Sequence, residues 1–134
     1  VDADRDYALA NGVARMASKV VALDFDGCLY PFVDIYAAPK PNAGAREAAE
    51  RLKSKGYRIV IFTSRLSPTW LDHAGDDYDE QYAYIAGLLD RDGIPYDEIT
   101  AEKVPAFVYV DDRALRFDGD WKAIADYILF ANGG

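Results

Sequence analysis

Short unbroken apolar runs alternate along the chain with stretches in which apolar residues recur every three or four positions, and turn-forming residues stand between them. That alternation is the signature of βαβ units built on a mostly parallel sheet. Residues 19–25, containing Val20-Val21-Ala22-Leu23, read as a first strand. Asn42 is placed to cap a helix through Ala45, Ala48, Ala49 and Leu52, with Gly56 as its stop. Residues 57–62 form a second strand, rich in the β-branched residues that suit a sheet covered on both faces. Ser67-Pro68 has the form of an N-cap followed by proline at the first helical position, opening a short helix through Trp70 and Leu71. A longer helix follows over about 79–91, stopped by Gly93. Residues 94–99 and 106–110 supply two more strands, and Asp120 caps a closing helix through Trp121, Ile124, Tyr127 and Ile128. There is no internal repeat and no low-complexity linker.

The 134 residues fit one domain, enough for a single core that buries roughly two thirds of the unfolded surface. The expected fold is therefore a single-domain α/β, three-layer Rossmann-like arrangement over residues 19–134, preceded by an extension over residues 1–18. The only methionine is Met16, just before that domain. Two readings of residues 1–15 stand side by side: an added or upstream leader, or a native short helix over 5–15. Fifteen Lys and Arg against 23 Asp and Glu give a net charge of -8. That balance provides no basic footprint for a long nucleic-acid backbone and disfavours an anionic membrane surface. A lone cysteine, Cys28, excludes an internal disulfide, and no apolar stretch nears the ~20 residues of a membrane span. A cytoplasmic protein is the expectation.

The chemistry gathers where strands end. Asp24-Phe25-Asp26-Gly27 closes the first run, at the carboxyl edge where open α/β sheets place their ligands. Two carboxylates this close repel unless something positive joins them, so the pair implies a metal ion, a shared proton, or both. The second strand ends in Thr63-Ser64-Arg65, offering hydroxyls and turning N–H groups to an anion. The strand at 106–110 ends in Asp111-Asp112, and Lys103 lies just upstream of it. Parallel strands bring all of these to one edge. The bland alternatives are solvated turns for the acids and surface exposure for Lys103. His73 reads as a helix-surface residue, and Asp76, Asp77, Asp79 and Glu80 as a solvated helix start without calcium-loop spacing. Tyr30, Phe32 and Tyr36, among Pro31, Pro39 and Pro41, read mainly as packing that anchors the 29–40 loop, and Arg113 as structural.

The ordered set Asp24-x-Asp26-Gly27, Thr63, Lys103 and Asp111-Asp112 resembles the haloacid dehalogenase superfamily of phosphatases over about residues 19–130. The tail from Asp112-Arg113 to Trp121 is similar to that of small phage and bacterial members. Cys28 stands where the family often has threonine. The resemblance implies a Mg²⁺-dependent phosphomonoester hydrolase. Asp24 would be the nucleophile, Asp26 the general acid and base, and Thr63 and Lys103 catalytic partners. Ser64 and Arg65 would bind substrate. Mg²⁺ would be held by Asp24, the Asp26 main-chain carbonyl, Asp111 and Asp112, with Asp111 favoured as the direct ligand of the last two. Neither interval between motifs has room for the inserted cap domain that other members use to choose small substrates. A capless site suits a bulky phosphorylated partner, or a small substrate closed off by a second subunit. Phosphatase domains of polynucleotide kinases share the layout, so nucleic-acid ends stay open as substrates. A receiver-type phosphoacceptor and a binding protein without turnover are the other classes; receivers carry the acid pair first and the acceptor later, the reverse of this order.

Overall fold

The computed structural model describes residues 11–133. Residues 11–17 are helical, and the expectations for residues 1–10 lie outside the described part. The sheet has four strands in the order β3-β2-β1-β4: β1 (Val20–Asp24), β2 (Arg58–Phe62), β3 (Glu98–Thr100) and β4 (Val108–Val110). Every pairing is parallel, with Leu23 aligned to Ile61 on one side and to Val110 on the other. Helices α1 (Ala45–Ser54), α2 (Pro68–Ala74) and α3 (Tyr78–Arg91) flank the sheet and α4 (Trp121–Ala131) follows β4, giving the expected Rossmann-like α/β domain with no inserted cap.

The core explains the layering. Side chains alternate across a strand, so Val21, Leu23, Ile59 and Ile61 share one face. They cluster there with Ala49 of α1 and with Ile85, Leu88 and Leu89 of α3. Both crossovers, β1 to β2 and β2 to β3, therefore put their helix on the same face, as right-handed connections moving in one direction require. No helix among the described residues is long and apolar enough to cross a membrane.

Local details differ from the sequence reading in three places. Gly44, in the left-handed region at φ 84, occupies the N-cap of α1 instead of Asn42. The Asn42 amide donates to the Cys28 carbonyl at 2.8 Å, so it ties the helix to the loop after β1. β3 is shorter than 94–99 because Pro95 has no N–H and because the Asp97 carboxylate, not a backbone carbonyl, takes the Ile59 N–H at 2.8 Å. β4 likewise starts two residues late, at Val108. The Ser67 and Asp120 side chains cap α2 and α4 as expected, accepting from the N–H groups of Trp70 and Ala123, and Asp77 caps α3, accepting from the Glu80 N–H.

Candidate active site

β1 ends at Asp24, and the chain turns at once. The Asp24 carbonyl accepts from the Leu29 N–H at 3.3 Å, Phe25 from Tyr30 at 3.0 Å, and Gly27 donates to the Tyr30 carbonyl at 2.7 Å. Phe25 and Tyr30 are buried below, their rings 4.9 Å apart, and the Tyr30 hydroxyl donates to the Leu88 carbonyl and the Asp92 carboxylate. A rigid base thus holds two acids above it. Gly27 is needed twice over: its φ is +84, and a Cβ there would sit 2.2 Å from Oδ2 of Asp112. That contact shows how tightly the loop after β4 closes on the loop after β1.

Asp24, Cys28 and Asp112 each bring one ligand atom to within 4.8 Å of the others. The Asp24 carboxyl is pushed up to about 7, first by burial, then by the charge of Asp111 and by hydrogen bonding to Asp112. Burial and the same acids push the Cys28 thiol up to about 11. Such crowding favours a cation or a shared proton. The oxygen-rich donors suit a hard divalent ion such as Mg²⁺, and a thiol that keeps its proton at neutral pH is a weak competitor for a softer one. Asp112 joins the cluster, whereas Asp111 folds onto its own turn and accepts from the Arg113 N–H at 2.8 Å. Asp111, favoured as the direct ligand, stays close enough for its charge to act on Asp24.

Asp26 has a partner of its own. Arg65 grips it in a fork, Nε to Oδ2 at 2.7 Å and Nη2 to Oδ1 at 2.9 Å, with side-chain exposures of 3% and 17% for Arg65 and Asp26. The remaining nitrogen, Nη1, donates to the Ile35 carbonyl at 2.7 Å and reaches Gln81 Oε1 at 3.4 Å. The guanidinium also lies 5.4–5.5 Å from the ring centres of Phe25, Trp70 and Tyr84. Arg65, expected to meet substrate, is instead committed inside the protein as a fixed partner of Asp26. Buried Thr63 accepts from the Arg65 N–H at 3.2 Å, while Ser64 is exposed.

A cleft of about 270 Å³ joins these pieces, lined by Asp24, Asp26, Phe32, Ser64, Trp70, Asp112 and Arg113. Lys103 is not in its wall: exposed, it lies with Nζ 5.7 Å from the ring centre of Tyr109. Phe32, expected to pack, is 71% exposed at the cleft, and Tyr36 donates to the Asp76 carboxylate from the surface. Cys28, Trp70 and Arg113 are additional residues at or beside the site. Cys28 stands out in the sequence for its place after Gly27 and Arg113 reads there as structural, while nothing in the sequence points to Trp70 as a site residue.

The metal-free protein should lose thermal stability between about pH 4 and pH 7. The folded state holds the Asp24 proton more tightly than the unfolded chain, whose carboxyl titrates near 3.8. Stability from this group therefore falls as pH rises from about 4 and levels off above 7. Asp92 and Asp97 are held below the usual carboxylate range, so their contributions disappear only at lower pH. Melting curves in chelator should drop by a few degrees over that window, since partial exposure weakens the effect, and added Mg²⁺ should restore the loss at pH 8. A curve indifferent to both pH and Mg²⁺ would contradict the crowding of acids around Asp24.

The fold and site define a Rossmann-like α/β domain with an acidic cluster at its carboxyl edge. Among solved structures, the chain is similar to the crystal structure of an MCSG target from Vibrio cholerae, at 27% identity and a TM-score of 0.52, covering 87% of this chain and 99% of that one. It is also similar in fold to a conserved protein from Bacteroides thetaiotaomicron, at 19% identity and a TM-score of 0.52, covering 87% and 93%. No family model and no curated protein matches the chain.

Proposed function

We propose that this domain is a Mg²⁺-dependent phosphomonoester hydrolase of the haloacid dehalogenase type. The observation that carries the reading is the placement of Asp24, with its raised proton affinity, beside Asp112 while Asp26 two residues away is held apart by Arg65. Two neighbouring carboxylates are thereby given different surroundings, the usual basis for different roles.

In this reading an Asp24 oxygen attacks phosphorus in line, forming an aspartyl-phosphate as the bond to the leaving alkoxide breaks. Asp26 gives its proton to that alkoxide and then takes one from the water that releases phosphate. The Arg65 fork fixes the orientation of the Asp26 carboxyl beside the cleft. Asp24, the Asp26 main-chain carbonyl, Asp112 and Asp111 would hold Mg²⁺. When bound, that ion supplies the positive charge that lets an anionic nucleophile approach an anionic phosphate. Ser64, with N–H groups of the 63–66 turn, would hold phosphate oxygens, and Lys103 would swing in from the surface to balance charge.

A second reading has its own observation: the exposed ring of Phe32 and the half-buried ring of Trp70 line the cleft together with Arg113, a surface on which a nucleobase can stack. The terminus of a nucleic acid would then be the substrate. Both readings meet in one screen of phosphorylated sugars, nucleotides and 3′- or 5′-phosphorylated oligonucleotides, with Mg²⁺ or with chelator. Phosphate release that needs Mg²⁺ is expected for at least one of these classes. A long-lived phosphoprotein without release would point to signalling, and neither product would remove the hydrolase reading.

A further inference from the structure

The face of β4 that points toward α1 is bare. Val108 and Val110 align with Val21 and Leu23, which pack beneath α1 and α3, so all four point to one side of the sheet. The two helices cover β1, β2 and β3 there, yet Val108 and Val110 stay 44% and 46% exposed. Beside them lies an apolar groove of about 360 Å³, walled by Leu23, Cys28, Ala45, Ala48, Leu52 and Val110. Ala45 and Ala48 keep the α1 wall low enough to admit large side chains.

α4 is the converse: a helix in search of a surface. Trp121, Ile124 and Ile128 recur at helical spacing with Tyr127 and Ala131 beside them, a stripe wide enough for a core-facing helix. Yet every residue of α4 except Ile124 is exposed, Trp121 to 70% and Phe130 to 89%. The Phe117 ring centre lies 4.8 Å from that of Trp121, and an open groove of about 450 Å³ separates the rest of the stripe from Leu115 and its neighbours in the same chain. No α4 residue lines the groove of its own chain.

We propose that two copies of this chain pair by laying the Trp121–Ile124–Ile128 stripe of each into the β4–α1 groove of the other. Each copy carries one helix to give and one groove to fill, so a two-fold pair satisfies both at once and leaves no surface to propagate. Leaving out Phe130, which lies on the opposite side of the helix, the exposed parts of Trp121, Tyr127, Ile128, Val108 and Val110 come to roughly 550 Å² per chain, given side chains of up to about 250 Å². Over two chains that is about 1,100 Å², above the roughly 1,000 Å² that a specific interface needs. The groove's rim includes Cys28, so the visiting helix would sit against the same loop that carries Asp24 and Asp26.

Sedimentation equilibrium over roughly 1–100 µM tests the pairing. The wild-type chain should be dimeric at the upper end. Ile128→Glu, in the helix, and Ala48→Arg, in the groove, should each raise the dissociation constant roughly tenfold or more, given the usual worth of one buried aliphatic side chain. Both positions are exposed in the single chain, and unchanged circular dichroism and melting at low concentration would show that folding is intact. An equimolar mixture of the two variants should recover part of the dimer, because one intact helix still meets one intact groove. A wild-type monomer at 100 µM would overturn the proposal, whether α4 docks in its own chain or another partner covers it. Dimers that persist unchanged in both variants, or a mixture no better than either variant alone, would overturn it as well.

Discussion

Asp24→Asn should abolish Mg²⁺-dependent phosphate release, by on the order of 10³-fold or more, as expected when the residue that forms a covalent intermediate is removed. The substitution keeps the size of the side chain and takes a negative charge from a crowded corner, so the protein should stay folded. It should even become more stable without metal at pH 8, where wild-type Asp24 is ionised beside Asp111 and Asp112. Opposite effects on activity and stability separate a nucleophile from a structural acid. Phosphate release and metal-free melting are the two measurements. A variant that still releases phosphate at wild-type rates would place the nucleophile elsewhere and end the aspartyl-phosphate scheme.

The second large effect belongs to Arg65. Arg65→Met keeps most of the side-chain length but strands the Asp26 carboxylate and leaves the Ile35 carbonyl and Gln81 Oε1 without their donor. Breaking one half of a buried pair costs about 3–5 kcal/mol. For a domain of this size a melting temperature lower by about 10 °C or more is expected. The double variant Arg65→Met with Asp26→Leu should regain much of that stability, because no charge is left unpaired, and should remain inactive for want of a proton carrier. Thermal melts and turnover of the two variants check this. If the single variant melts like wild type, the Arg65 fork does not hold the site together.

The sheet was legible because its central strands are unbroken apolar runs: Val20-Val21-Ala22-Leu23 and Ile59-Val60-Ile61 admit little besides buried parallel strands. Ser67-Pro68 and Asp120 were legible as caps because the signal is local, one side chain and the N–H three residues on. β3 and β4 were blurred since their ends are set by partners far along the chain, the Asp97 carboxylate on Ile59 in one case and the bond from the Phe107 N–H to the Val20 carbonyl in the other. Asn42 suits a cap by type, but its amide is taken by the Cys28 carbonyl.

Within the site, the order of motifs placed Asp24 and Asp112 together because parallel strands share an edge. The sequence assigns Arg65 to the site in a substrate-binding role, and its inward partnership stays hidden because nothing local shows that three rings and a carboxylate enclose it. Lys103 sits apart for a related reason: the segment before β4 carries no regular element to aim it, and the Tyr109 ring is its nearest anchor.

The Arg65 fork also links parts of the chain that share no strand pairing. One guanidinium joins the loop after β1 through Asp26, the 29–40 segment through Ile35, and the start of α3 through Gln81. The wall of the cleft that holds Phe32 is thereby fastened to the same rivet as the acid it shelters. Loosening at one of the three points is felt at the others, so amide hydrogens across all of them should exchange as one cooperative unit, in contrast to those of α4, which have no such anchor.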